Sequence, residues 1–214
     1  EGFDPSNFSP IMTAALKLQH HERFMVLQCR CHFDKRSNEV ISSLRRYNKV
    51  DEHSSWKEIY LDMDGVICDF TKRYKELYGY VPDRHIDTKE FHQNFDDFIK
   101  NRNFETLDLM PDATVLLHYL GSVRVPIEML SSTGSKRDQK EVARQKQIWL
   151  DKHRIDYPAN FVPGKSLKKT FADEESIIID DTDSVIRDWR KAGGMAIHHT
   201  DAHTTIAILG TLLV

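Results

Sequence analysis

From Trp56 onward the chain alternates short apolar runs with longer stretches of helical spacing. Glu58-Ile59-Tyr60-Leu61 is a strand-like run that breaks off into acidic residues and Gly65. Val125-Pro126-Ile127-Glu128-Met129-Leu130 runs into Ser131-Ser132-Thr133-Gly134, and Ser176-Ile177-Ile178-Ile179 runs into Asp180-Asp181. Helices are predicted over about 70–79, 111–121, 136–153 and 183–192, with Val142, Ile148 and Trp149 as apolar points in the third. The last stops at Gly193-Gly194, before a further strand Met195-Ala196-Ile197. Strands alternating with helices predict an α/β fold with a parallel, doubly wound sheet. Such sheets bind ligands outside the carboxyl ends of their strands, which is where each polar cluster falls.

Residues 75–110 lie between the first strand–helix unit and the next, and Phe91, Phe95, Phe98 and Phe104 recur there at roughly helical spacing. The pattern predicts a small helical cap over the strand ends, with most of these rings forming the cap's own core. Residues 1–55 form an N-terminal extension to which the sequence assigns no role, leaving 56–214 as the main domain. A helix is predicted over about 11–28. Cys29, Cys31 and His32, with His20 and His21 upstream, lack the second half of a zinc motif, so a packed or solvated helix end is preferred there.

Composition narrows the function classes. The 214 residues, 40% of them apolar, suffice for one domain and a small accessory element. A net charge of -3 and a pI near 6.4 carry no basic excess, so neither a stable nucleic-acid partner nor a membrane is expected, and small soluble substrates are favoured. No apolar run approaches the roughly 18 residues of a membrane span, and residues 1–30 lack a signal-peptide layout. With 3 cysteines and no disulfide framework, the chain reads as cytoplasmic. Nothing fixes its oligomeric state.

Asp62-Met63-Asp64-Gly65 places two carboxylates one residue apart just past a strand, with a glycine for the turn. Asp62 is the candidate nucleophile toward phosphorus. Asp64 is the candidate acid that protonates the leaving oxygen and then deprotonates water. Attack by a carboxylate on a phosphate dianion needs the charge offset by a divalent metal and a lysine. Asp180 and Asp181, with Asp62 and the main-chain carbonyl of Asp64, make a hard-oxygen set suited to Mg2+. Lys165, in Pro163-Gly164-Lys165-Ser166, is the first choice for the cation, with Lys168 and Lys169 as close competitors. Ser131 can donate its hydroxyl to a phosphoryl oxygen, with Ser132 and main-chain amides beside it. The basic run Lys136–Lys146 reads as a solvated helix face from which Lys136 reaches substrate, and His198 and His199 as a strand end near the surface.

These motifs, in this order over about residues 57–200, resemble those of the haloacid dehalogenase superfamily of phosphatases. The longer strings DMDGVICDF, Ser131-Ser132 and IIIDDTDSVIRDWRKAGG are similar to those of its 5'(3')-deoxyribonucleotidase group and phage and bacterial relatives. The resemblance implies a Rossmann-like core, a cap inserted after the first motif, Mg2+, and hydrolysis of a nucleoside monophosphate through an aspartyl-phosphate on Asp62. It also implies that Phe70 lines the pocket, although an ordinary core ring is an equal reading of that residue. Lys165 stands further from the acidic pair than in the animal nucleotidases, and residues 1–55 have no counterpart in the family core. A sugar phosphate or nucleic-acid end as substrate, and a non-catalytic protein on the same fold, are the alternatives. Dehalogenation is disfavoured because it has no use for a second acid at Asp64.

Overall fold

The computed structural model describes residues 56–82 and 88–213, within a compact unit spanning His53–Val214. The helix expected over 11–28 and the Cys29, Cys31 and His32 cluster with His20 and His21 lie outside the described residues.

Among the described residues five strands form one parallel sheet: β1 (Glu58–Leu61), β2 (Ile127–Ser132), β3 (Ala159–Val162), β4 (Ser176–Asp180) and β5 (Met195–His198), in the order β3-β2-β1-β4-β5. The chain steps outward from β1 to β2 to β3, then returns across the sheet to β4, so the winding direction switches between β1 and β4. Central position dictates the composition of β4, whose Ser-Ile-Ile-Ile-Asp run is buried at every residue. Its side chains alternate between faces: Ile177 and Ile179 join the larger core with Ile59, Leu61 and Met129, while Ile178 joins Leu130, Val185, Ile186 and Trp189 on the other side. β3 escaped prediction because its four residues, flanked by Pro158 and Pro163, are too short and too mixed to show a period.

Helices α1 (Phe70–Tyr78), α2 (Lys89–Lys100), α3 (Ala113–Leu120), α4 (Gln139–His153), α5 (Asp183–Lys191) and α6 (Ala202–Leu212) complete the described elements, with short 3₁₀ helices at Asn103–Thr106 and Lys165–Phe171. Caps set several of these ends. Asp69 accepts from the Lys72 amide at the start of α1, and Thr88 from the Phe91 amide at the start of α2. Gly79 stops α1 at φ 82°, a backbone angle that costs glycine little.

The segment from α1 to the Asn103–Thr106 turn, including α2, builds on a buried aromatic cluster of Tyr74, Phe91, Phe98 and Phe104. Its return limb is zipped to the loop after β1, since Asp69 donates its amide to the Asp108 carbonyl and Met110 to that of Ile67. Two buried side chains of α4 hold the other side: Gln145 donates to the Ile99 carbonyl at 2.7 Å and Trp149 to the Leu107 carbonyl at 2.8 Å. No described helix is long and apolar enough to cross a membrane.

Candidate active site

The ends of β1 and β4 are neighbours in the sheet, and each delivers acidic residues to the switch point. Asp62 follows Leu61 directly and is 4% exposed; its amide bonds the Ile179 carbonyl of β4 and its Oδ1 accepts the Met63 amide at 2.8 Å. Gly65 turns the chain at φ 78°. A Cβ added there would sit 2.1 Å from Asp181 Oδ2, so the second carboxylate of the acidic pair lies directly against the glycine's bare Cα. The loop then closes on itself, with Cys68 and Ile67 donating to the Met63 carbonyl.

The cation beside Asp62 is Lys168, not Lys165. Its Nζ lies 2.8 Å from Asp62 Oδ1 and 2.7 Å from Asp180 Oδ2, with all three side chains buried. A 3₁₀ helix repeats every three residues, so Lys165 and Lys168 share a face one turn apart. The later residue lies under the strand ends. The earlier one stands in solvent, donating to Thr182 Oγ1 at 3.0 Å, and Lys169 is exposed. Sequence spacing could not separate them, because the 3₁₀ turn that buries one lysine in four residues leaves no apolar signature.

A second buried lysine lies on α4. Lys146 is 1% exposed and donates to Asp64 Oδ2 at 2.6 Å, Ser131 Oγ at 2.8 Å and the Ser132 carbonyl at 2.9 Å. Reading the whole Lys136–Lys146 run as a solvated face was therefore wrong at its last residue. The missed signal was positional: Lys146 falls four residues after Val142 and three before Trp149, on the apolar stripe of the helix.

These charges set the electrostatics. Burial opposes ionisation of Asp62, yet Lys168 and Lys146 outweigh it and hold the carboxyl below its ordinary value. For Lys168 burial opposes the charge too, but Asp62 and Asp180 outweigh it and raise its pKa. Asp180 is pushed up to about 6 by burial and then by the nearby Asp62 charge. Asp181 is pushed up to about 7 by its dense surroundings at the strand ends and then by Asp62 and Asp180. Oxygens of Asp62, Asp180 and Asp181 all lie within 4.8 Å of one another. A donor set of hard carboxylate oxygens, carrying more negative charge than Lys168 offsets, fits a divalent cation such as magnesium.

Ser131 is buried at the end of β2, facing Lys146, whereas Ser132 is half-buried and accepts the Gly134 amide at 3.2 Å. Lys136 is exposed in the loop between β2 and α4. Phe70 is half-buried and belongs to the aromatic cluster, parallel to Phe104 at a centroid distance of 5.7 Å and 6.4 Å from Phe95. Phe91 and Phe98 are buried in that cluster, while Phe95 is half-buried and brings its ring edge to 3.1 Å from where a Gly134 Cβ would stand. Asp96 on α2 pairs with Arg137 in the same loop. At the end of β5, exposed His198 meets the Asp181 carbonyl through Nε2 at 2.9 Å. His199, expected near the surface, is instead buried against Thr205 Oγ1 at 2.8 Å.

No protein-family description and no curated protein matches the chain. Similar solved structures include a hydrolase from Streptococcus pneumoniae TIGR4, 13% identical, covering 73% of this chain and 99% of that one at a TM-score of 0.43. A haloacid dehalogenase-like hydrolase from Bacteroides fragilis is 14% identical over 66% of this chain and 86% of its own, with a TM-score of 0.43. A β-phosphoglucomutase, so described, from Thermotoga maritima is 18% identical over 71% and 91%, with a TM-score of 0.38. Similarities of this size leave family and activity to be argued from the site itself.

Proposed function

We propose that this chain is a phosphomonoester hydrolase of the haloacid dehalogenase type, working through an aspartyl-phosphate on Asp62. One observation carries the reading: Asp62 meets Lys168 and the Asp180-Asp181 pair at the switch point of a parallel sheet, with Asp64 two residues further along the same loop and held by Lys146. Asp62, kept ionised by its lysines, attacks phosphorus while the ester P–O bond breaks. Asp64 gives its proton to the leaving oxygen. In the second half Asp64 takes a proton from water as that water attacks phosphorus and frees Asp62. Lys168 offsets the charge that gathers on Asp62 and the phosphoryl oxygens, and the Ser131 hydroxyl, with Ser132 beside it, orients them. Magnesium, when bound, would be held by Asp62, Asp180, Asp181 and the Asp64 main-chain carbonyl, and would supply further charge neutralisation.

For the substrate we favour a nucleoside monophosphate, with Phe95 and Phe70 as the rings available to a base. The burial of Phe91 and Phe98 leaves fewer rings for stacking, which favours a sugar phosphate as the second reading. Phosphate release across nucleoside monophosphates and sugar phosphates, in magnesium, in calcium and in chelator, tests both levels. Release in magnesium alone, fastest for a nucleotide, is expected. Fastest release from a sugar phosphate selects the second reading, and no release from any ester overturns the phosphatase.

A further inference from the structure

Lys168 already supplies the cation in contact with Asp62, which leaves the direct contacts of a second sealed lysine to be explained. An ammonium has three protons to donate, and Lys146 uses them on Asp64 Oδ2, Ser131 Oγ and the Ser132 carbonyl. Its remaining side is covered by the Phe104 ring, 5.2 Å from Nζ to centroid. A lysine meant for the substrate phosphate would keep a donor free toward the cleft. Lys146 keeps none, and two of its partners belong to the candidate catalytic set.

The grip on Asp64 is lopsided. Oδ2 takes the ammonium at 2.6 Å, while among the described residues Oδ1 has only the Cys68 thiol at 3.3 Å, a weak partner that yields easily. We infer that Lys146 is the positioning residue for Asp64, clamping Oδ2 so that Oδ1 is the oxygen that passes the proton. The inference rests on the reading of Asp64 as acid and base. In the first step the Asp62 O–P bond forms, the ester P–O bond breaks, and the proton on Asp64 Oδ1 goes to the leaving oxygen. In the second, water's oxygen bonds phosphorus, the Asp62 O–P bond breaks, and the water proton returns to Oδ1. Lys146 forms no bond to the reacting atoms in either step. Phe104 sits in the 3₁₀ turn that ends the aromatic segment, and Gln145, the neighbour of Lys146, is tied to Ile99 of α2. The clamp is thus braced by the same contacts that hold that segment against α4.

Leaving groups distinguish this role from a structural or phosphate-binding one. The ratio kcat/KM reports steps through release of the alcohol, and 4-nitrophenolate departs without a proton whereas an alkoxide needs one. The comparison uses 4-nitrophenyl phosphate and the fastest alkyl phosphate of the panel, with Lys146→Met, Asp64→Asn and the double variant. Lys146→Met is expected to lower kcat/KM for the alkyl ester at least about tenfold more than for the aryl ester, since general acids contribute about 10²–10⁴-fold. Added to Asp64→Asn, it should no longer discriminate between the esters, because the part of its effect that depends on the leaving group acts through Asp64. Lys146→Gln keeps a donor and most of the volume. It is expected to discriminate less than Lys146→Met, and it carries the comparison should the methionine variant not fold. Equal losses on both esters in Lys146→Met, or a discrimination between them that persists on top of Asp64→Asn, overturn the inference while leaving the phosphatase reading intact. A wild-type chain that releases phosphate from neither ester overturns that reading instead.

Discussion

At the residue scale, each polar group at the strand ends is placed by a partner that only folding supplies. Asp62 is ionised in a buried place because Lys168 and Lys146 lie near it, and Lys168 tolerates burial because Asp62 and Asp180 flank it. Removing one member leaves the others uncompensated, so effects here should be large. Asp62→Asn is expected to lower turnover at least about a thousandfold with the fold intact, as seen for catalytic nucleophiles generally. Steady-state kinetics beside a circular-dichroism spectrum checks it. Lys168→Met should lower kcat/KM by about a hundredfold or more, as loss of a preorganised charge does. Lys165→Met, at an exposed position, should cost less than about tenfold, and the reverse ranking returns the site to Lys165. Gly65→Ala should be nearly inactive, because its methyl would occupy the place of the Asp181 carboxylate at a φ that alanine disfavours.

At the element scale, the sheet and its helices decide how firmly those residues are held. Ile178 is fully buried on β4 in one cluster with Leu130, Val185 and Trp189, so Ile178→Ala should destabilise the unit by about 2–5 kcal/mol, read from urea unfolding. α4 joins sheet to aromatic segment through Gln145, Lys146 and Trp149, which gives one helix both an anchoring and a chemical task. The loop after β2 meets α2 through Phe95 at Gly134 and Asp96 at Arg137. Phe95→Ala should raise KM for a nucleotide about tenfold, the equivalent of about 1–3 kcal/mol for a stacked base, and leave a small aryl phosphate nearly unaffected. Equal effects on the two would assign the ring to packing rather than recognition.

At the scale of the whole unit, charge and stability are linked through the acidic cluster. Asp180 and Asp181 hold protons to about 6 and about 7 in the folded state, whereas in the unfolded chain they release them near the ordinary carboxylate value of 3.8. Between those limits the folded state binds more protons, so this pair's contribution to stability is present below about pH 4 and is lost as pH rises toward 7. A divalent cation competes with those protons and binds the folded state, so its stabilisation grows with pH. Magnesium is therefore expected to raise the melting temperature more at pH 7.5 than at pH 5. Thermal unfolding with metal and with chelator measures this, and an equal shift at both values would place the metal away from these carboxylates.

Several features were legible without coordinates, and for a common reason. Hydrophobic period and abrupt polar endings are local properties, so β1, β2, β4 and β5, the helices α1, α3, α4 and α5, and the acidic loops at the strand ends could be read directly. Asp62, Asp64, Asp180 and Asp181 stood out because strand ends in a parallel sheet converge. What the sequence could not decide were the long-range pairings. Choosing Lys168 over Lys165 depends on which turn of a 3₁₀ helix packs beneath β1 and β4. Finding Lys146 depends on three acceptors from β2 and the Asp62 loop meeting one face of α4, a coincidence of residues up to 82 positions apart. Aromatic spacing announced a segment with its own core, but only packing separated Phe91 and Phe98, which fill it, from Phe95, which reaches Gly134. A charge or a ring carries no record of its partner along the chain; burial, which tertiary structure alone assigns, decides whether it meets solvent or chemistry.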